Sequence, residues 1–574
     1  MLPAPKKGVT VTVRRIEASR SSGPQSRGRG SRRLATAVCV VVLAAIGGAG
    51  ASAQTAGAKP ADNPPASRLI PTVELLVPSA SYDPVRFQAG QMIAASWRQL
   101  GLQVDVQGLD FNTLTAATSR PPFNFDAFIS GYVARPERLD PDVLLFRPFD
   151  SSGIATGTNN FGYHSAQFDH VIEMQRTVTT FKTRRNLVYQ AQQILAHDVP
   201  ATALYYVKTV MAYNKQTFSK AVPVLGQGLW NYWNMISMTP RRSQKYIRMG
   251  QTWDMDSWNP FAAVNGIDTL RLIYDTLARV GVNGQPVPSA AQSWKYTNNK
   301  TLHVTIRRGM KFSDGTPVTT ADVKYSFDIM RSSQGNAIYQ PFLESIASID
   351  TAPKNQVVFH LKQPYAPLIS AAFTQVLILP KHVWSKVDGQ LSKFQNSSPV
   401  GSGPFTLNYY RPGQEWKLDA NQSYYRKPKA AGIIQVILAN PNAIFAALQS
   451  GDIDMHDRRL LPDQVPQAQH SGNLQTVTVS DYGVYYVGFN LRKAPFINPY
   501  LRKAATLAVD KKAIVRTLLA GYATPGQGFI APANKPWYNP HQDTYPYSMT
   551  KARQMLRKGG FEFGSDGRLY YPAK

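Results

Sequence analysis

The chain has 574 residues, of which 43% are hydrophobic and 11% aromatic, and its formal net charge is +28. A chain of this length can bury a large core and exceeds the usual size of one domain, so we expect two or three lobes. Its single cysteine, Cys39, lies in a segment predicted to be cleaved off, which excludes disulfides, thiolate metal sites and a cysteine nucleophile from the mature protein.

The first 53 residues have the order of a secretory signal. Nine Lys or Arg and one Glu in residues 1–33 carry a charge of +8, which leaves +20 for the rest of the chain. The uncharged apolar run at 34–50 ends in Ala51-Ser52-Ala53, which predicts cleavage after Ala53 and export to the periplasm. A transmembrane anchor is the alternative, although the run is short and rich in glycine near its end. Residues 54–70 are predicted to be a flexible lead-in.

Strands and helices are predicted to alternate from residue 71 to about residue 206. The predicted segments are a strand at 73–77, a helix through 92–100 that stops at Gly101, strands at 104–106 and 126–132, a helix at about 180–197 and a strand at 203–206. This alternation predicts a mostly parallel sheet covered by helices.

The clearest local pattern lies at residues 301–331. Residues 301–306 alternate apolar with polar side chains, which predicts a half-buried strand. Ser313-Asp314-Gly315 can form a turn, and Thr319 or Thr320 can cap a helix whose first turn holds Asp322. The unit is therefore a strand, a tight turn and a capped helix, with apolar residues at helical spacing: Val323, Phe327 and Met330.

No arrangement of residues favours catalysis. The nine histidines lack the close helical pairing of a zinc hydrolase, and no nucleophile elbow, phosphate loop or dinucleotide fingerprint stands out. The acidic pairs Asp254 with Asp256 and Asp452 with Asp454 are better interpreted as turn or strand-end carboxylates. We therefore expect a protein that is not an enzyme and that needs no cofactor or metal.

The amino-acid sequence around the turn of that unit is distinctive. The residues at 307–312, 314–318 and 321–323 read RRGMKF, DGTPV and ADV, and together they resemble the signature of the family 5 extracellular solute-binding proteins of bacterial ABC importers. The resemblance implies an α/β, two-lobed periplasmic binding protein of the type II, peptide-binding-like kind with an extra subdomain. It also implies two partners, a small peptide-like solute and an ABC importer permease, for a monomer that binds no nucleic acid.

The order of the segments differs from that of the family. Residues 71–206 resemble the family's carboxyl-terminal third, whereas residues from 246 onward resemble its amino end, and the chain stops where the strand near Pro71 would ordinarily follow. A circular permutation accounts for this order. There are two alternatives to a permutation. The gene prediction could have joined parts of two neighbouring proteins, or the two halves could pair between molecules.

The resemblance also implies the division of the chain. The expected parts are a signal peptide at 1–53, a lead-in at 54–70, part of lobe II at 71–204, a strand that returns to lobe I with a connector at 205–245, parts of lobe I at 246–281 and 396–486, the signature-bearing subdomain at 282–395, and the rest of lobe II at 487–574.

The ligand is expected between the lobes, and aromatic residues flanked by polar groups are the candidates for its walls. The aromatics of this kind are Tyr132, Trp230, Tyr232, Trp233, Trp253, Trp258, Tyr482, Tyr485 and Tyr486. About two-thirds of these nine are expected to belong to the core. By resemblance, the candidate ligand-binding residues are Tyr132, Arg135, Arg138, Asp140, Trp253, Trp258, Ser402, Tyr485, Tyr486 and Asn490.

Arg138 lies where peptide-binding members carry an aspartate for the ligand's ammonium group, so a peptide with a free amine is in doubt. An arginine there would favour a ligand carboxylate through paired hydrogen bonds. The alternative is that Arg138 pairs with Asp140 or Asp142 within the protein.

Two other functions remain open. The +20 charge of the mature chain is compatible with a secreted protein that binds polyanions or nucleic acid, which predicts strong salt dependence. A carrier of metal chelates or haem on the same fold is a variant of the main prediction.

Overall fold

The computed structural model describes residues 64–241, 243–264, 266–336 and 339–573. The predicted signal peptide therefore lies outside the described residues. Those described form a mixed α/β fold with one twelve-stranded sheet, one four-stranded sheet and three two-stranded ribbons. None of their helices is both long and apolar enough to cross a membrane.

The strands, in chain order, are β1 Val73–Pro78, β2 Val104–Leu109, β3 Ala127–Tyr132, β4 Ala201–Asn214, β5 Phe218–Ser219, β6 Thr239–Pro240, β7 Tyr246–Gln251, β8 Ala278–Val280, β9 Pro286–Pro288, β10 Ala291–Asn298, β11 Thr301–Ile306, β12 Ile346–Ala352, β13 Gln356–Leu361, β14 Phe405–Arg411, β15 Glu415–Ala420, β16 Gly432–Ile437, β17 Met455–His456, β18 Leu474–Ser480, β19 Val484–Phe489, β20 Ala523–Pro525, β21 Glu562–Phe563 and β22 Leu569–Tyr570.

The helices are α1 Pro84–Arg98, α2 Phe111–Ser119, α3 Arg147–Phe149, α4 Gly153–Thr156, α5 Ala166–Thr177, α6 Phe181–Asp198, α7 Tyr232–Ser237, α8 Ile267–Ile273, α9 Thr320–Met330, α10 Gln340–Leu343, α11 Lys381–Trp384, α12 Pro441–Ser450, α13 Gln464–His470, α14 Pro499–Leu507, α15 Lys511–Leu518 and α16 Met549–Lys558. Short 3₁₀ or π turns cover Ala66–Arg68, Pro136–Leu139, Asp142–Phe146, Leu368–Phe373 and Leu391–Lys393.

The large sheet runs through both lobes in the order β14-β15-β16-β7-β17-β4-β19-β3-β1-β2, and β18 and β20 also pair with β4. We call the part with β7 and β14–β17 lobe I, and the part with β1–β3 and β19 lobe II. Strand β4 crosses between them, because its first residues pair with β19 and its last residues pair with β17 and β18. Residues 481–483, between β18 and β19, form a second crossing.

The prediction of a mostly parallel sheet is wrong for the sheet as a whole. Strand β1 is parallel to β2 and β3, and β7 is parallel to β16 and β17, but β4 is antiparallel to β17, β18, β19 and β20. The alternation of strand and helix holds within 73–132. It does not extend to the strands that carry the chain back and forth between the lobes, which run antiparallel.

Local predictions in lobe II are confirmed. Helix α1 begins before the predicted position, at Pro84, because the Asp83 side chain accepts a hydrogen bond of 2.8 Å from the Arg86 amide. Gly101 ends this region with a φ of +83°, which favours glycine. The strands at 73–78 and 127–132 and the helix at 181–198 match their predicted positions.

The signature unit forms as predicted. Strand β11 alternates buried and half-buried residues, and Gly315 has a φ of +88° in the turn. Thr319 and Asp322 make a capping box at the start of α9. We call the sheet β10-β11-β13-β12 with α9 the signature subdomain. Its buried residues, such as Leu302 and Phe359, belong to the same hydrophobic core as Ile247 and Trp416 of lobe I.

Residues near the two ends of the described chain pack together in lobe II. The Ile70 amide donates to the Leu569 carbonyl at 3.1 Å, and the Tyr571 amide donates to the Arg68 carbonyl at 2.7 Å. One buried cluster contains Val73 and Trp97 together with Phe489 and Leu569, and Trp97 Nε1 donates to the Ala505 carbonyl at 3.0 Å. Early and late segments therefore build one core.

Candidate functional site

A cavity lies where Pro136 of lobe II faces helix α8 and the segment that leads into α7. Its walls come from both lobes and from the connector, which is the location expected of a ligand site in a two-lobed protein. The lining residues are Pro136, Gln227, Trp230, Asn231, Tyr232, Trp233, Asp268, Arg271, Leu272, Arg279, Val280 and Thr374.

Three aromatic residues in a run of four make the floor of the cavity. Asn231 caps α7, because its side chain accepts from the Asn234 amide at 2.9 Å and donates to the Gly228 carbonyl at 2.8 Å. Trp233 Nε1 donates to the Val280 carbonyl at 2.7 Å, while Trp230 is half-buried. The cap and this bond hold the rings in place before any ligand arrives.

One wall is a buried ion pair that is satisfied within the protein. Arg279 donates to Asp275 at 2.9 Å and lies 3.9 Å from the centroid of the Tyr232 ring. Asp275 also accepts hydrogen bonds from Ser289 Oγ at 2.7 Å and from Tyr425 Oη at 2.9 Å. Burial lowers the pKa of the Arg279 guanidinium, but the attraction of Asp275 outweighs it, so that the pKa is raised. The pair shapes this wall of the cavity.

The opposite wall offers groups that are free to bind. Arg271 donates to Asp268 at 2.5 Å and to Gln375, but its buried Nε has no hydrogen-bond partner among the described residues. Glu137 of lobe II makes no hydrogen bond or ion pair with the part of the chain that the structure describes, and its charge acts on Arg271 across the cleft. Burial by itself would lower the pKa of Arg271, but the negative charge of Asp268 raises it by more, so the pKa lies above its ordinary value. Arg271 thus lines the cavity with a guanidinium nitrogen that has no partner among the described residues, and the charge of Glu137 acts on it.

A buried hydroxyl lies near the same charges. Tyr482 lies within the second crossing segment and is fully buried, and its Oη has no partner among the described residues. Burial, followed by the charges of Asp481, Glu137 and Asp268, raises its pKa well above the ordinary value. Tyr482 therefore stays protonated and can donate a hydrogen bond.

None of the ten residues predicted from the resemblance lines this cavity, although Arg138 lies two residues after Pro136, which does. The Arg138 guanidinium is 5.3 Å from the centroid of the Tyr132 ring and donates to the Val133 carbonyl at 2.6 Å. Burial lowers its pKa. Neither of these contacts involves a carboxylate, so the Arg138 guanidinium keeps N–H groups that can donate to a ligand.

The alternative interpretation of Arg138 is wrong. Asp140 pairs with Arg184 and Asp142 with Arg176, which come from helices α6 and α5. The short 3₁₀ turn at Pro136–Leu139 separates Arg138 from the side chain of Asp140, so the neighbour in sequence is not the neighbour in space.

The remaining predicted residues lie in several places. Tyr486 is buried and stacks on Tyr132 at 5.8 Å, and Tyr485 stacks on Tyr205 at 4.9 Å. Asn490 donates to the carbonyls of Phe123 and Phe125 at 3.0 and 2.9 Å, so its amide is used within the protein. The structure brings Tyr132, Arg138 and Tyr486 together in lobe II.

In lobe I the predicted residues make contacts within the protein, and Trp258 also lines a separate cavity with Tyr410. Trp253 Nε1 donates to Asp457 at 2.7 Å, and Trp258 packs edge-on against Trp416 at 6.1 Å. Ser402 is buried, and its Oγ accepts from the Asp275 amide at 3.4 Å. Arg135 in lobe II is exposed. Trp230, Tyr232 and Trp233 belong to the predicted set of aromatics but not to the ten predicted binding residues. Arg271 and Glu137 were not predicted, because no local motif in the sequence distinguishes them.

Comparison with known proteins bears on this arrangement of lobes and cleft. The family described as bacterial extracellular solute-binding proteins, family 5 Middle, matches residues 285–573, half of the chain. The chain belongs to this family. Residues 64–284, which contain β1–β8, lie before the matched region.

Individual family members resemble part of the chain. A protein of Brucella ovis named as an ABC transporter peptide-binding protein is 29% identical over 312 residues, which are 53% of this chain and 58% of the relative. An oligopeptide-binding protein of Bacillus subtilis is 28% identical over 311 residues, 53% of this chain and 56% of the relative. The chain thus spans somewhat more than half of the length of these curated relatives.

The structure of that Bacillus subtilis oligopeptide-binding protein, in complex with a nonapeptide, is also similar. The two chains are 25% identical with a TM-score of 0.45, and the match covers 58% of this chain and 68% of the other. Proteins of this family are extracellular solute-binding proteins, and those matched here are named for binding rather than for catalysis.

Proposed function

We propose that this protein is the solute-binding component of an ABC importer, which captures a peptide or peptide-like small solute between two lobes and delivers it to a membrane permease. The observation that carries this proposal is the cavity in which Pro136 of lobe II faces the Trp230 floor and helix α8. Membership of family 5 supports it.

The walls of the cavity suggest how a solute is held. The rings of Trp230 and Trp233 enclose a ligand at low entropic cost, because their conformations are already restricted. Arg271 Nε and the Arg138 guanidinium donate to ligand carbonyl or carboxylate oxygens, and Glu137 accepts from an amide or ammonium group. Ligand contacts on both lobes stabilise the closed arrangement that a permease recognises.

The polypeptide acts in the periplasm, after export through its amino-terminal signal, and it works as a monomer without nucleic acid. The net charge of +20 after residue 33 is scattered over the chain instead of forming a basic run. A polyanion-binding protein would lose affinity steeply with salt, and a carrier of metal chelates or haem would copurify with metal or chromophore.

The chain order is a natural circular permutation of the family order. In this proposal residues 71–204 and 487–574 form lobe II, residues 246–281 and 396–486 form lobe I with the returning strand at 205–245, and residues 282–395 form the subdomain. The closeness of Arg68 to Tyr571 supports the permutation, because chain ends that lie together on a surface can be joined by a short linker.

The test is a thermal-shift and calorimetric screen of residues 54–574 against peptides, glutathione, opines and metal chelates. A solute at a hundredfold excess over its Kd should raise the unfolding midpoint by a few degrees. Trp230→Ala should weaken its binding tenfold or more, whereas Tyr547→Ala, which removes an exposed ring far from the cavity in sequence, should leave binding unchanged. One cooperative transition that no solute shifts would contradict the proposal.

A further inference from the structure

A second cavity adjoins the first. Pro136, Val280 and Thr374 line both cavities, so these three side chains are the partition between them. The second cavity extends between lobe II and the region of the signature subdomain. The two cavities therefore lie next to each other, on either side of these three side chains.

Aromatic side chains line this second cavity from both sides. Trp294 of β10 comes from the subdomain, while Phe181 and Trp537 come from lobe II. The rings of Phe181 and Trp537 lie 5.0 Å apart, and Phe181 is 45% exposed although it is a large apolar residue. When an apolar group covers an exposed aromatic face, apolar surface is removed from water and the free energy is lowered.

The charges that line the second cavity are already satisfied. Asp140 and Arg184 pair with each other at 2.6 and 2.9 Å, and Asp140 also accepts from Ser370 Oγ. The remaining wall groups include Ile369 and Ala366. The cavity thus offers flat apolar faces and, among the described residues, no ion without a partner, which disfavours a charged occupant.

We propose that the second cavity is a subsite for an aromatic or large aliphatic side chain of the solute whose polar groups occupy the first cavity. The solute class is then a peptide that combines hydrogen-bonding main-chain groups with a bulky apolar side chain. This inference rests on the proposed function and adds the selectivity of the site.

The experiment uses isothermal titration calorimetry with matched di-, tri- and tetrapeptides that differ at one position, either Ala or Phe. Wild-type protein should bind the Phe member of at least one pair tenfold or more tightly than the Ala member. Trp294→Ala, which removes a wall, and Ala366→Phe, which fills the space, should each reduce this ratio below threefold. Binding of the Ala member should change less than threefold in both variants.

Phe111→Ala is the control, because Phe111 is 50% exposed and packs on Tyr82 instead of lining the cavity. If Trp294→Ala does not fold, Ala366→Phe decides the result. Equal affinities within every pair, or a Phe preference that survives in the folded variants, would overturn the subsite and leave the carrier function standing. If none of the peptides binds, both the peptide carrier and the subsite are overturned.

Discussion

Arg184 donates two hydrogen bonds to the buried carboxylate of Asp140, at 2.9 and 2.6 Å. Ser370 Oγ donates to the same carboxylate from the turn at Leu368–Phe373. Burial by itself would raise the pKa of Asp140, but the charge and hydrogen bonds of Arg184 hold the pKa below its ordinary value. Through its hydrogen bond with Ser370, Asp140 therefore links lobe II to the segment that lines the second cavity.

Removing one partner of this pair should be costly. Arg184→Met leaves the Asp140 carboxylate buried without its counter-ion, and we expect a loss of about 3–5 kcal/mol in the free energy of unfolding. Arg411→Met is the matched control, because Arg411 pairs with Glu415 at 3.0 Å but is 62% exposed, and it should cost less than about 1 kcal/mol. Urea unfolding at pH 7 measures both, and equal losses would contradict the prediction.

The capping box of α9 should stabilise the signature subdomain. Asp322 accepts from the Thr319 amide at 2.8 Å and from the Lys381 amide at 2.9 Å. Asp322→Ala leaves both amides without a partner, so we expect a loss of about 2–3 kcal/mol. Asp328→Ala, on the same helix, breaks only surface ion pairs and should cost under about 1 kcal/mol. Denaturant unfolding would refute this role if the two variants behaved alike.

Gly401 should tolerate no side chain. A Cβ at this position would overlap the carbonyl oxygen of Ile273, the last residue of α8, which also carries Arg271. Gly401→Ala should cost about 2 kcal/mol or more and should weaken solute binding, because α8 has to shift. At Gly472 a Cβ meets nothing within 4 Å, so Gly472→Ala should stay within about 1 kcal/mol of wild type. Similar melting curves for the two variants would show that the contact is not rigid.

Asp481, in the second crossing, should make stability depend on pH. Burial raises its pKa to about 6, whereas an unfolded aspartate titrates near 3.9. The folded state therefore holds this proton more tightly, and its contribution to stability is present near pH 4 and is lost as the pH rises through 6.

Asp481→Asn removes this titration and retains the oxygen that accepts from the Gly483 amide at 2.6 Å. We expect the variant to be more stable than wild type by about 2 kcal/mol at pH 7 and nearly equal to it at pH 4. Urea unfolding at pH 4, 5, 6 and 7 measures the difference. A difference that does not change with pH would exclude Asp481 as its source.

The proposed circular permutation predicts that a chain with its segments in the family order folds as well as this chain does. A variant that starts at residue 243, runs to 573 and continues through a short Gly/Ser linker into 64–241 keeps every packed segment, because Tyr571 and Arg68 are already hydrogen-bonded at 2.7 Å. Its free energy of unfolding should lie within about 1 kcal/mol of that of residues 64–573 in their present order. Opening the chain after Val207, inside the buried strand β4, is the control that should not fold. A restored order that fails to fold would argue against the permutation.

Local structure was predictable where its cues lie within a few residues. The strand, turn and helix at 301–331 depend on alternation, on Gly315 and on the cap formed by Thr319 with Asp322, and all three are observed. The partner of Asp140 was not predictable in this way, because Arg184 lies 44 residues away in sequence. Arg138, two residues from Asp140, is directed instead to the Val133 carbonyl.

By itself, the sequence determined the family resemblance and the local elements, because backbone preference and capping act over short distances. Only the tertiary structure decided the mixed direction of the sheet, the pairing of Asp140 with Arg184 and the cavity that joins Pro136, Trp230 and Arg271. These features depend on which distant segments pack together. That choice is made by the burial of whole surfaces, which no short stretch of residues encodes.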